Sequence, residues 1–462
     1  MGGVRFLGGT TAVVLLVQMA ALDVRAETME GALLRAYQNN PQLNAQRAFV
    51  RATDENVPQA LAGYRPQVAG TFTGGVGYAD QLADGTNGKK VEHGDQTPHS
   101  AALTVTQTVY NGDRTANRTR AAESQVFGAR EGLRLMEQSV LLAAATVYMD
   151  FLRDSAILEV QRSNTHVLEL TLKQTRDRFS AGLVTPTDVA QSQAQLAAAK
   201  SQELGAESTL TTTRANFRRI VGQEPANLQP GSPVDRYLPA NQNGAIELAL
   251  RQNPNVTANM YGVDVSFLRV KINEGALFPT VTVQAVVSKV WDPNITTINQ
   301  FTAAATAQLT VPVYQGGAEY SLIRQSKETL EQQRLTMEQS RDQARADAVT
   351  AWGQLTAGKA QVTAAQAQVQ ASELAYLGTT KEAQVGQRTV IDILNAQQTL
   401  VNARVALVTA QHDRVVASYA VLNAVGRLSP QVLHLATQVY DASVHYQQVR
   451  DSWGGTRTPD GR

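Results

Sequence analysis

The sequence predicts a mainly α-helical protein that also carries a membrane β-barrel segment, organised as a duplicated helix–strand–strand–long helix–helix unit. Three observations lead there. GLVTPTDVAQSQAQL (Gly182 to Leu196) and GQRTVIDILNAQQTL (Gly386 to Leu400) set glycine, threonine, aspartate, glutamine and leucine in the same order, about 204 positions apart. Proline is absent between Pro98 and Pro186 and between Pro312 and Pro430, which leaves two uninterrupted stretches for long helices. Short segments of about ten residues alternate apolar side chains with Thr and Gln, the period-2 pattern of a membrane-barrel strand.

The elements follow in order. Arg5, the apolar run around Val13 to Val17, and Val24-Arg25-Ala26 fit a secretory signal peptide over residues 1–26, too short and wrongly flanked for a spanning helix. The mature chain is expected to begin at Glu27 and to be exported. A first repeat is expected over residues 27–222. ALLRAYQNNPQLNA (Ala32 to Ala45) resembles AIELALRQNPNVTA (Ala245 to Ala258), an offset of about 213 positions. Strands are expected at about 66–79 and 101–110. In PQVAGTFTGGVGY, Val68, Phe72, Val76 and Tyr78 share one face, and Gln67, Thr71 and Thr73 share the other. A long polar loop is expected between these strands, its centre at about Leu82 to Thr97. Long helices should fill about 113–222, and a proline-rich linker, QEPANLQPGSPVDRYLPA, marks 223–243.

The second repeat is expected over 244–427, with strands at about 279–290 and 301–313 and helices over about 316–427. Val281, Val283, Ala285 and Val287 oppose Thr280, Thr282 and Gln284; Phe301, Leu309, Val311 and Val313 oppose Thr302, Thr306, Gln308 and Thr310. Past the strands the offset drops to about 204, so the second copy is about nine residues shorter between its strands, where a loop tip tolerates deletion. Taken singly, each strand pattern also fits a half-buried strand of a soluble protein. Each descending helix of about 65 residues would be a rod of roughly 100 Å. Leu394, Val401, Val408, Val415 and Leu422 repeat every seven residues, a coiled-coil seam. Residues 428–449 close the ordered chain, and 450–462 read as a disordered tail.

Composition excludes several functions. The net charge is +1, which gives no reason to expect nucleic acid. Cysteine is absent, removing disulfides, thiol chemistry and lipidation behind the signal. No phosphate loop, nucleophile elbow or paired-carboxylate signature appears, and His93 and His99 lack ligand spacing. Neither an enzyme nor a cofactor is expected. The most apolar later stretch, LLAAATVYMDFL (Leu141 to Leu152), is broken by Asp150 and reads as bundle core. Trp291, Tyr110 and Tyr314 near strand ends are candidate interface aromatics.

Four strands cannot span a bilayer alone, because every backbone group in lipid must be paired and barrels need about eight strands or more. Several chains must pool their strands; three would supply about twelve. At NNPQL (39–43), VPVYQGG (311–317), GLVTPTDV (182–189) and VGQRTVIDIL (385–394), together with the duplication, the sequence resembles the TolC family of outer-membrane efflux channels. That resemblance implies a homotrimer with one 12-stranded barrel in the outer membrane of a Gram-negative cell and a long α-helical coiled-coil barrel crossing the periplasm. It also implies an equatorial belt built from 223–243 and 428–449. The implied function is the passive exit duct of a tripartite efflux pump or type I secretion system. Its implied partners are a periplasmic adaptor (membrane fusion) protein, an inner-membrane RND, ABC or MFS transporter, and outer-membrane lipid. The alternative from another class is a periplasmic coiled-coil scaffold without a pore.

The duplicated stretches are then the two turns at the periplasmic tip. Thr185-x-x-Asp188 and Thr389-x-x-Asp392 are capping-box variants, Pro186 suits a first helical position, and Gly182 and Gly386 suit helix C-caps. Capping alone would account for them. The resemblance adds a gate: Thr187 and Asp188 fall on latch positions, Arg388 on their basic partner, and Asp392 on the first of two acidic ring positions. Two departures stand out, Asn395 at the second ring position and Ala383 where the family's best-known member has a latch tyrosine.

Overall fold

Asn-Pro steps open both halves of the chain. The structure, a computed structural model, describes residues 27–85, 88–295 and 297–461, so the expected signal peptide lies outside the described residues. Helices α1 (Met29–Asn39) and α2 (Pro41–Asp54) join at Asn40, whose Oδ1 accepts from the backbone N–H of Gln42 and Leu43 at 2.9 and 3.3 Å. Pro41 sits at the first helical turn, where a missing N–H costs nothing. A short α3 (Asn56–Leu61) leads into β1 (Gln67–Gly74), β2 (Gly77–Gly85), β3 (Gly88–Gln96) and β4 (His99–Tyr110). The long α4 (Arg114–Ser180) and its return α5 (Pro186–Val221) complete the first copy. The second runs through α6 (Gln242–Gln252), α7 (Pro254–Glu274), β5 (Thr280–Asn294), β6 (Thr297–Thr310), α8 (Ala318–Gln384) and α9 (Val390–Ala424), and α10 (Ala442–Val449) follows.

The main sheet has four antiparallel strands in the order β1-β4-β5-β6. Its register places the alternating patterns side by side. Val68, Val105, Ala285 and Ala305 form one row, and Gly70, Leu103, Val287 and Ala303 the next. Polar rows flank these two, Gln67, Thr106, Gln284 and Thr306 on one side and Thr71, Ala102, Ser288 and Thr302 on the other, while the row between them, Ala69, Thr104, Val286 and Ala304, carries a single polar side chain. None of the described residues covers the apolar face: Phe72 is 85% exposed, Val68 63% and Phe301 66%. A contiguous bare apolar sheet of this kind marks a lipid surface. Aromatic residues bound it at both ends. His99 stacks on Trp291 at 5.4 Å with Lys289 over the same indole, and Tyr110 stands opposite Val281. The ten-residue step from Val281 to Trp291 spans about 33 Å along the strand and roughly 25 Å when tilted as barrel strands are, the height of a barrel's apolar band.

One expectation is corrected here. The stretch between the first two strands is no loop: β2 and β3 pair as a separate antiparallel hairpin, with Tyr78 opposite Asp95 and Leu82 opposite Val91. Pro98, which has no N–H to donate, interrupts the ladder between it and the main sheet, although Gly75 N–H still reaches the Pro98 carbonyl at 2.9 Å and the register continues from Gly74 opposite His99 to Gly77 opposite Gln96. The hairpin's foot is tied by Asp292, which accepts from Thr97 N–H and Oγ1 at 2.6 and 3.1 Å. In the second copy β5 and β6 meet directly; β5 reaches Asn294, and β6 runs from Thr297 to Thr310, ending before Pro312.

Helices α4 and α8 have 67 residues each, roughly 100 Å at 1.5 Å per residue. By length and composition α4 is the one described helix able to cross a membrane. Its apolar stretch serves as core instead: Leu141, Ala144, Ala145 and Tyr148 are fully buried against α1, the linker and the C-terminal segment, through Leu33, Val234 and Leu428. Along α9 the seven-residue seam is buried at Leu394, Val401, Val415 and Leu422 and half-buried at Val408. Residues 450–461 carry no helix or strand, but Arg65 donates to the Ser452 carbonyl and lies 4.8 Å from the Trp453 ring, so the start of the tail is held.

Candidate periplasmic gate

Both turns are built from one pair of devices. Helix α4 ends in a left-handed glycine, Gly182 (φ 73°), with Leu183 N–H returning to the Arg178 carbonyl at 2.9 Å. Helix α8 ends likewise at Gly386 (φ 82°), with Gln387 N–H on Glu382 at 2.9 Å. This motif satisfies the last carbonyls of a helix and needs a residue without Cβ. Each returning helix then starts with a capping box. Thr185 N–H and Oγ1 donate to Asp188 Oδ2 at 2.8 and 2.7 Å; Thr389 N–H and Oγ1 donate to Asp392 Oδ2 at 2.9 and 2.8 Å.

These bonds set the charge. Asp188 is held below the usual carboxylate range by the Thr185 side chain and then its backbone N–H. Asp392 is held low by the Thr389 backbone N–H, then its side chain, then the charge of Arg388. Both are therefore anions at neutral pH. Within one chain Arg388 reaches neither Thr187 nor Asp188. Its Nε donates to Glu382 at 2.9 Å, across the turn of its own hairpin. Thr187 is exposed, and among the described residues its hydroxyl has no hydrogen-bond partner in the chain. Asn395 is exposed and Ala383 is buried.

Sequence reasoning missed the contacts that join the two hairpins. Leu168, Ala199, Val390 and Leu394 form a small apolar cluster between them. Beside it, Gln397 Nε2 donates to Asn164 Oδ1 at 3.1 Å, and Gln195 Nε2 donates to Gln398 Oε1 at 2.9 Å. A signal existed for one of these: Gln397 stands three residues past Leu394, in the second core slot of the heptad, where a polar side chain needs a reason. Glu382 carried no comparable signal.

The sequence matches the outer membrane efflux protein family over residues 32–223 and 245–427, the two copies of the repeat. It is 38% identical to the outer membrane efflux protein BepC of Brucella suis over 438 residues, covering 95% of this chain and 93% of that protein. It is 25% identical to the outer membrane protein TolC of Vibrio cholerae, covering 88% of this chain and 92% of the relative. The fold superposes on the Campylobacter jejuni CmeC outer membrane channel with a TM-score of 0.77 at 15% identity, covering 93% of this chain and 90% of CmeC. The uncovered apolar sheet, the paired long helices and these likenesses agree: the chain belongs to the outer membrane efflux protein family, the TolC-like exit ducts of the outer membrane that extend into the periplasm.

Proposed function

We propose that the chain works as a homotrimer whose three four-stranded sheets close one 12-stranded barrel, and that it conducts cargo passively without enzymatic activity or a cofactor. One observation carries this reading. Among the described residues strands β1 and β6 each pair on one side only, while the face between them is bare and apolar. Lipid tolerates no open sheet edge, so β6 of one copy must meet β1 of the next. A scaffold confined to the periplasm would leave that apolar face in water.

Energy for transport comes from an inner-membrane RND, ABC or MFS transporter, reached through a periplasmic adaptor protein. Leu183 and Val385, 69% and 72% exposed at the two turns, give an adaptor apolar footholds. The tip is the gate. On assembly Arg388 exchanges Glu382 for Thr187 and Asp188 of a neighbouring coil, and three copies of Asp392 form an anionic ring that attracts cations. Gly182 and Gly386 shape the turns that carry these groups.

Mass measurement of the detergent-solubilised protein and single-channel recording test the reading together. A trimer that conducts supports it; a stable monomer, or a trimer without conductance, overturns it.

A further inference from the structure

One basic side chain stands on the apolar face of the sheet. Lys289 is the only lysine or arginine in β1, β4, β5 and β6. The register sets it in a row with Phe72, Ala101 and Phe301, two residues along the strand from the apolar row of Leu103 and Val287. A cation facing hydrocarbon is costly, and the cost falls towards the interface, so the height of Lys289 decides what it can do. The next row on this face holds His99 and Trp291, the aromatic boundary at the end of the sheet away from the long helices. Those helices extend into the periplasm, so this end lies at the outer leaflet.

Lys289 is available to a ligand. Among the described residues no carboxylate lies within ion-pairing distance of it, and its ammonium sits 5.2 Å from the centre of the Trp291 ring. Asp292, the one acid in the four strands, is engaged by Thr97 N–H and Oγ1. His99 holds the indole in place: it stacks on Trp291 at 5.4 Å, and its Nδ1 donates to the Thr97 carbonyl at 2.8 Å. Strand β5 lies between β4 and β6 of the same chain, so these groups meet without help from a second copy.

We propose that Lys289 and Trp291 hold a phosphate of the phosphorylated glycolipid of the outer leaflet, with Phe72 and Phe301 against its acyl chains. Three features select this occupant. A compact ammonium binds phosphate as a point charge. An indole offers an N–H and a flat apolar face at the level where headgroup meets chain. Phe72 and Phe301, 85% and 66% exposed, continue the apolar face directly beside the cation. A zwitterionic phospholipid fits less well, because its own cation competes with Lys289 for the phosphate. The lysine stem lies along apolar surface while its head reaches the polar level. The contact fixes the height of the barrel in its leaflet, a task separate from conduction.

The test is native mass spectrometry of the intact protein, released from detergent with purified lipid A, with the same lipid stripped of its phosphates, or with phosphatidylcholine. The parent should retain lipid A about fivefold more than either of the others, the size of an exposed ion pair. Lys289→Gln should erase that preference and Lys289→Arg should keep it, and raising the salt should weaken it in the parent. Equal retention of phosphorylated and stripped lipid by the parent overturns the proposal, as does a preference that survives Lys289→Gln. Displacement of lipid A by inorganic phosphate at matched concentration would make this a free-anion site and overturn the lipid assignment. If Lys289→Gln fails to fold, Lys289→Met, which keeps the stem and suits an apolar face, takes its place with the same two outcomes. A protein that runs as a monomer defeats the trimeric reading above, a different failure, and leaves this comparison intact because the site lies within one chain.

Discussion

Asn40 and Asn253 make the same pair of contacts in the two copies of the repeat. Each caps its own helix through Oδ1, and each sends Nδ2 to the last turn of the returning helix: Asn40 to the Ile220 carbonyl at 3.3 Å, Asn253 to that of Ala424 at 3.1 Å. One asparagine therefore closes two helix ends at once, and the duplication preserved the joint. Gly426 shows how tight it is, because a Cβ there would stand 2.3 Å from the Gln252 carbonyl oxygen. Replacing either asparagine by alanine should cost about 1–2 kcal/mol, the upper part of the usual capping range, since a helix carbonyl also loses its donor. Thermal unfolding in detergent followed by circular dichroism would show it; no shift in either variant would mean the joint is solvated and dispensable.

The two faces of the sheet should respond oppositely to charge. Leu103 and Thr104 are neighbours on β4, Leu103 in an apolar row and Thr104 across the strand from it. Leu103→Arg near mid-height should cost about 2–4 kcal/mol and cut the yield of folded barrel. Thr104→Arg, facing the lumen, should leave assembly intact and lower cation conductance. Equal tolerance of both substitutions would contradict a lipid-facing row.

The β2–β3 hairpin should stand outside the cell. A short epitope inserted between Gly85 and Gly88 should leave trimers intact and label whole cells. Labelling only after the outer membrane is broken would reverse the orientation.

At the tip, Arg388 should change partners on assembly. Arg388→Ser should raise conductance while leaving the trimer mass unchanged, whereas Glu382→Gln should not, because it removes only the partner used within one chain. Asp392→Ala should weaken block by multivalent cations and fray the start of α9, since its carboxylate both faces solvent and caps Thr389. Wild-type conductance and cation block in all three would reduce these residues to helix caps and surface charge.

His412 gives the helical wall a pH dependence. It is buried between Asp150 and Asp413, with Nδ1 2.8 Å from Asp413 and Nε2 2.9 Å from Asp150. Burial alone would lower the imidazole pKa; the two carboxylates outweigh it, against some opposition from Arg153, and the net shift is upward from 6.5. A raised folded pKa means that the folded state favours the cation. Its stabilisation is complete below pH 6.5 and is lost as pH rises through the folded value. The parent should melt at a higher temperature at pH 6 than at pH 8.5, and His412→Asn should shrink that difference. An identical pH profile in the variant would assign the effect elsewhere.

Much of this architecture was legible in the sequence. Proline spacing marks the reach of α4 and α8, and alternation at Val281 to Val287 gives one apolar face of the sheet before any strand is paired. The capping boxes at Thr185 and Thr389 could be read because their chemistry is local. The β2–β3 hairpin could not, since a ribbon with water on both sides has no reason to alternate: Asp80, Gln81 and Asp95 fall wherever they keep it soluble. The amide bonds between hairpins were hidden for a related reason. In a chain rich in glutamine, the heptad marks Gln397 as inward-facing, but nothing local distinguishes Gln195 from its solvated neighbours or names either residue's partner.

The two unpaired margins of the sheet also govern how the protein comes into being. A single chain arriving at the membrane carries a third of a wall, and its backbone ladder cannot be completed by waiting or by refolding. In the proposed trimer closure needs two further copies, so its rate depends on encounter. The protein's supply is thus set by the local density of newly exported chains as much as by the stability of the finished trimer.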